Sequence, residues 1–102
     1  MNTVPKSAQG RMWIRLIEGH RAVGDLTVPC EAGEPLIALR EATRQLDLSM
    51  PVWLARHQAD WKTFALTRFT QEHFMEPIPF DRMEISFIAP DETRKPRRNV
   101  EE

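Results

Sequence analysis

Along residues 11–18, RMWIRLIE, apolar and polar positions alternate with period two. Met12, Ile14 and Leu16 fall on one face, and Trp13, Arg15 and Ile17 on the other. That period predicts a strand whose two faces meet different surroundings. GHR follows, and AVGDLTVPC then alternates through Leu26, Val28 and Cys30. Two such runs across a short Gly-containing turn predict a β-hairpin. Gly24 predicts a bulge or a late strand start. Pro29 has no N–H to give a ladder, which places the second strand at a sheet edge.

The period changes in EAGEPLIALREATRQLDLS (31–49). Pro35 suits a first helical turn, where its missing N–H would be unpaired anyway. Leu36, Leu39, Thr43 and Leu46 recur at three- and four-residue spacing beside Ala42, with Arg40, Glu41, Arg44 and Gln45 mostly opposite. This predicts an amphipathic helix of about three turns. Near the other end, FDRMEISFIA alternates again, with Met83, Ile85 and Phe87 against Glu84, Ser86 and Ile88, and predicts a last strand ended by Pro90. Before it, Thr70 is an N-cap for one short turn holding Glu72, His73 and Phe74. Pro77 and Pro79 then force an extended connection.

MPVWLARHQADWKTFALTRF (50–69) has no such clear period. On a helical wheel Val52, Trp53, Leu54, Trp61, Phe64, Leu66 and Phe69 scatter, so one long helix would bury no single face. The break HQAD lacks the residues of a tight hairpin turn. The pattern is read as a strand over Val52–Arg56; over Gln58–Ala65 it fits a short helical turn or a strand, and the turn is preferred.

The order hairpin, helix, strand, helical turn, strand is α+β in class. In layout, residues 11–89 resemble the β-grasp (ubiquitin-like) fold, and RFTQEHFMEPIPFDRMEISFI is similar to the ending of such domains. The Asp47–Leu54 stretch, D-L-S-x-P-x-W-L, is also similar to one in small uncharacterised bacterial proteins. The β-grasp resemblance implies a two-layer domain, with one main helix across a mixed sheet and the C-terminal strand beside and parallel to the first. It also implies an inward set of Met12, Ile14, Leu16, Leu26, Val28, Leu36, Leu39, Leu46, Val52, Leu54, Ile85 and Phe87. Phe64, Phe69 and Phe74 would close the ends. Another two-layer α+β topology is the rival.

Composition narrows the functions. The 102 residues suit one domain, with residues 1–10 read as a leader and 90–102 as a charged disordered tail. A formal charge of −1 removes the simple electrostatic case for nucleic acid or anionic membranes. There is one cysteine, Cys30, so no internal disulfide can form, and no apolar run is long enough to span a membrane. A cytoplasmic location is the expectation.

Candidate chemistry is sparse. His20, His57, His73 and Cys30 show no metal-ligand spacing. No phosphate-binding glycine loop and no G-x-S-x-G elbow occur. Cys30 sits at an inward strand position and reads as a small hydrophobe. Ferredoxins of the β-grasp fold need four cysteines, and its carriers end in Gly-Gly, where these residues end RRNVEE. No catalytic residue, cofactor or metal is therefore expected.

The outward strand positions remain. With first and last strands adjacent, Trp13, Ile17, Ile88 and Trp53 would form an apolar patch beside an Arg15–Glu84 pair, a composition suited to interface hot spots, unless the irregular 57–80 segment or the tail covers that face. The leading expectation is a non-catalytic protein-binding or adaptor module, or self-association, through that face. The alternatives are single-stranded nucleic-acid binding by Arg56, Lys62, Arg68 and the tail with Trp53 and Trp61 as stacking platforms, and a small-ligand or enzyme pocket near His57, Asp60, Trp61 and His73.

Overall fold

The computed structural model describes residues 9–90. Residues 1–8 and 91–102, which hold most of the expected leader and tail, lie outside the described residues. Gln9 and Gly10, assigned to the leader by the pattern, already belong to the first strand.

β1 (Gln9–Glu18) and β2 (Arg21–Glu31) form the expected hairpin. Its two-residue loop holds Gly19 at φ +65°, the left-handed region that primed hairpin turns need. Asp81 fastens this loop from far along the chain: its Oδ2 accepts the Gly19 N–H at 2.6 Å, and its own N–H donates to the Ile17 carbonyl at 2.8 Å. The register runs from Leu16 opposite Gly24 to Ile17 opposite Ala22, leaving Val23 as the extra residue of a bulge beside Gly24.

α1 (Pro35–Leu46) begins on Pro35 and buries Pro35, Ala38, Leu39, Ala42 and Thr43 against β2 and β1. Leu39, Ala42 and Thr43 are buried as predicted and Leu46 packs partly, but Pro35 and Ala38 take the place of Leu36, which is exposed. Asp47, in the left-handed region, ends the helix: its N–H and that of Leu48 donate to the Arg44 and Thr43 carbonyls.

The strand expected over Val52–Arg56 does not form. Residues 51–54 are extended without a sheet partner, and Val52 N–H donates to the His73 carbonyl at 2.8 Å. From Ala55 the chain is helical, and the expected turn over 58–65 is the larger part of α2 (Ala55–Phe64). His57 and Trp61, four residues apart and so on one helix side, are its two buried residues, whereas Val52 and Leu54, whose alternation suggests a strand, are exposed.

β3 (Leu66–Thr70), which the pattern does not predict, follows a reversal at Ala65. Thr70 then caps a single 3-10 turn, Gln71–His73, as expected, and β4 (Arg82–Ile88) is the last described element. The sheet order is β2-β1-β4-β3 and every neighbouring pair is antiparallel. β4 therefore lies beside β1 as expected but runs against it, which corrects the mixed sheet and the parallel pairing implied by the β-grasp resemblance. The unforeseen β3 explains the difference: the chain reverses once more between β3 and β4. β2, carrying Pro29, is an edge strand.

Both helices contribute to one core on one face of the sheet. Met12, Ile14, Val28, Ile85, Phe87, Phe69 and Phe74 are buried there as expected, joined by Met83, Phe80 and Trp61. Leu16, Leu26 and Leu46 pack partly against it. Leu36, Val52, Leu54 and Phe64 are exposed instead.

Candidate functional site

The helix-free face of the sheet carries most of the residues expected to bind a partner. Strand register sets Asp25, Arg15, Glu84 and Arg68 in one row across the four strands, and Thr27, Trp13, Ser86 and Leu66 in the next. Arg15 Nη2 donates to Glu84 Oε1 at 2.6 Å, and Arg82 Nε to Glu84 Oε2 at 2.9 Å. The Arg15 guanidinium lies 4.8 Å from the Trp13 ring centroid, and the Trp13 indole N–H donates to Asp25. Burial alone would raise the Glu84 carboxyl, but the bond from Arg82 and the charge of Arg15 outweigh it and hold it below 4.5.

This face lacks the expected open apolar patch. Ile17 and Ile88 are 5% and 0% exposed. The Asp81 turn is tied to the Ile17 carbonyl, and Ile88 sits opposite Arg11 at the other end of the strand pair. Trp53 is not on this face: it packs against the core on the helix side, 6.0 Å from the rings of His57 and Phe69, with its N–H donating to Gln58.

His57 and His73 of the expected pocket come together, but as packing, whereas Trp61 pairs with Phe87. His57 and His73 are 0% and 4% exposed, with ring centroids 4.7 Å apart, edge to face. His57 is the third residue of α2, and its Nδ1 accepts the Leu54 N–H at 2.9 Å. His73 Nδ1 accepts the Thr70 N–H at the same distance. Each imidazole thus does the work of the Glu or Gln in a capping box. Burial lowers the His57 pKa, and the Arg56 charge and the nearby His73 ring lower it further. Asp60 accepts the Thr67 hydroxyl at 3.0 Å.

A large concavity lies elsewhere. A half-open groove of about 690 Å³ runs between the Ala32–Pro35 turn, the C-terminal half of α2 and β4. Trp61 and Phe87, centroids 6.2 Å apart, form an edge-to-face pair lining it. The Trp61 indole N–H donates to the Ala32 carbonyl at 2.9 Å, so this ring is fixed rather than free to stack on a base. Phe64 lines the groove with 64% of its surface exposed. Lys62 is the single charged residue of the lining, beside Gln58 and Thr63.

The backbone beneath this groove is strained. Ala65 has φ +59°, a conformation that costs a non-glycine residue about 1–2 kcal/mol. It is held there by its N–H to the Trp61 carbonyl and its carbonyl to the Phe87 N–H, both at 2.9 Å. At this residue the chain passes from α2 into β3.

Sequence pattern assigns Phe64 to the core and Lys62 to a nucleic-acid surface. What places them together is the helix through Ala55–Phe64, which sets Trp61 and Phe64 three residues apart. No local signal pairs them with Phe87.

Cys30 lines a smaller hollow of about 190 Å³ beside α1. Burial, aided by the Glu31 charge, pushes its thiol up to about 12, so it has no thiolate character near neutrality. Among the described residues no group of three or more His, Cys, Asp and Glu is placed to hold a metal ion, and no helix is long and apolar enough to cross a membrane. The chain matches no protein-family model, no curated protein and no solved structure with which it was compared.

Proposed function

We propose that the protein is a non-catalytic binding module that takes a short apolar segment of a protein partner into the groove between the Ala32–Pro35 turn and α2. The carrying observation is Phe64, a large aromatic ring left exposed at a concave surface that Trp61 and Phe87 line. Interface hot spots have this form: fixed aromatic anchors around a pocket, with neighbours that exclude water. The groove volume falls in the range of pockets that enclose a compact ligand or a few side chains. Lys62 gives the groove one positive charge, so the complementary segment is apolar with an acidic residue beside its anchor.

The sheet face supports a partner less well. Arg15 and Arg82 are already engaged by Glu84, and its two isoleucines are already covered. The buried imidazoles line neither this groove nor the hollow at Cys30.

Selection from a displayed peptide library tests the proposal. Enrichment of peptides pairing a Leu or aromatic residue with Asp or Glu, and loss of their binding in Phe64→Ser, is the expected result. Enrichment of basic peptides, or selected peptides that bind Phe64→Ser unchanged, would contradict it.

A further inference from the structure

We propose that His57 and His73 form an acid-sensitive latch that holds the start of α2 and the Gln71–His73 turn along the free edge of β3. Both Nδ1 atoms accept a main-chain N–H, from Leu54 and from Thr70. A main-chain N–H can only donate, so each Nδ1 must keep its lone pair and each ring must be neutral with its proton on Nε2. A protonated imidazole donates from both nitrogens and can make neither bond. Proton uptake and the two caps therefore exclude each other.

The same two rings finish the sheet edge. The Phe87 N–H donates to the Ala65 carbonyl, so alternation along β3 turns the main-chain groups of Leu66, Arg68 and Thr70 away from β4. His73 takes the Thr70 N–H, and the Arg68 main chain acts on His57. That second contact is imperfect, because His57 Nε2 is buried without a well-aligned hydrogen bond. A buried polar atom left in this state calls for an explanation, and a latch poised to open supplies one.

The charged groups around the pair come from α2 and from the 3-10 turn. Arg56 Nη2 lies 3.4 Å from His73 Nε2, and Arg56 also approaches Asp60 at 4.0 Å. Glu72 reaches His73 Nε2 at 3.8 Å, but its side chain is exposed and screened. Phe69 of β3 and Trp53 contribute rings without charge, the former 4.4 Å from His57. On His57, burial, Arg56 and the nearby His73 ring oppose protonation, while the Arg68 main chain and Asp60 favour it less strongly.

The sign of the pH effect follows. The folded form holds His57 below its ordinary pKa of 6.5, so the opened form binds more protons as pH falls below that value. The latch is closed above 6.5 and opens progressively on acidification toward the folded pKa. Val52 is tied to the His73 carbonyl, so the 51–54 segment is released together with both caps. The third histidine, His20, is exposed in the hairpin loop, away from the caps, so the β1–β2–β4 sheet has no reason to open with them.

Hydrogen exchange of the whole chain, corrected for intrinsic rates, tests this together with ¹⁵N spectra of the imidazoles. Between about pH 7 and about pH 4.5, protection at the Leu54, Gln58 and Thr70 amides should fall about tenfold or more, with the β1–β4 amides nearly unchanged. The double variant His57→Gln, His73→Gln keeps an acceptor at each cap without a titrating ring, and its protection should be flat over that range. Uniform loss across sheet and helix, or the same acid loss in the double variant, would overturn the proposal. Should the double variant fail to fold, the native imidazoles decide: an unprotonated Nδ1 in both rings at neutral pH is required, and a protonated Nδ1 in either refutes it.

Discussion

Trp61 donates its indole N–H to the carbonyl of Ala32 at 2.9 Å, joining α2 to the turn that leads into α1. The two helices share few direct contacts, so this bond and the rings around it keep the groove at its width. Replacing Trp61 with Phe retains most of the apolar area and removes the bond, and should cost about 1–2 kcal/mol. Trp61→Ala should cost about 3–5 kcal/mol, as for other large aromatic truncations. Urea unfolding of both variants checks the order.

Ala65 offers a test of the opposite sign. Glycine adopts positive φ without penalty, so Ala65→Gly should leave stability unchanged or raise it by up to about 1 kcal/mol. The groove should keep its ligand. A loss above about 1 kcal/mol would mean that the strain assigned here is absent.

Gly10 is constrained by space rather than by φ. A Cβ there would collide with the Ile88 carbonyl and stand 2.8 Å from the Phe87 ring. Gly10→Ala should destabilise by about 1–3 kcal/mol, the ordinary cost of overpacking. A thermal unfolding scan measures it.

Arg15 and Glu84, sixty-nine positions apart in the chain, meet on the outer sheet face at 2.6 Å. Since Arg15 is 40% exposed, a double-mutant cycle with Arg15→Ala and Glu84→Ala should give a coupling of about 1 kcal/mol or less, weakened by salt. Glu84 is held below 4.5, so its contribution is present above that pH and fades as pH falls through the lower, folded value. Glu84→Gln should flatten that part of the stability profile.

Cys30, pushed up to about 12, should resist thiol reagents in the native protein and react at the ordinary rate once urea unfolds it. Labelling by iodoacetamide with and without urea distinguishes this from a reactive thiol.

The parts of the fold legible in the sequence are those in which local period and packing agree. Met12, Ile14 and Leu16 alternate because one face of β1 meets helices and the other does not. Gly24 and Pro29 mark a bulge and an edge for reasons carried by their own backbones. The outward phase that puts Arg15 beside Glu84 follows from the same alternation. The middle of the chain is less legible. Val52 and Leu54 alternate like a strand yet are exposed, and α2 owes its burial to two residues, His57 and Trp61, of which one is polar. β3 holds five residues, too short for a period to stand out. The direction of β4 depends on that strand, so the sheet's sense could not be read without it. Phe64 reads as core by residue type, and its exposure at the end of α2 is not announced by any local period.

The most direct test of the binding groove compares two aromatic substitutions on opposite faces of the sheet. A peptide selected for binding is titrated by fluorescence anisotropy into the native protein, Phe64→Ser and Trp13→Ser. Phe64→Ser should weaken binding about tenfold or more, which is about 1.4 kcal/mol, with unfolding changed by less than about 0.5 kcal/mol. Trp13→Ser should bind as the native protein does. The reverse result, with affinity lost in Trp13→Ser and kept in Phe64→Ser, would move the interface to the sheet face and contradict the account.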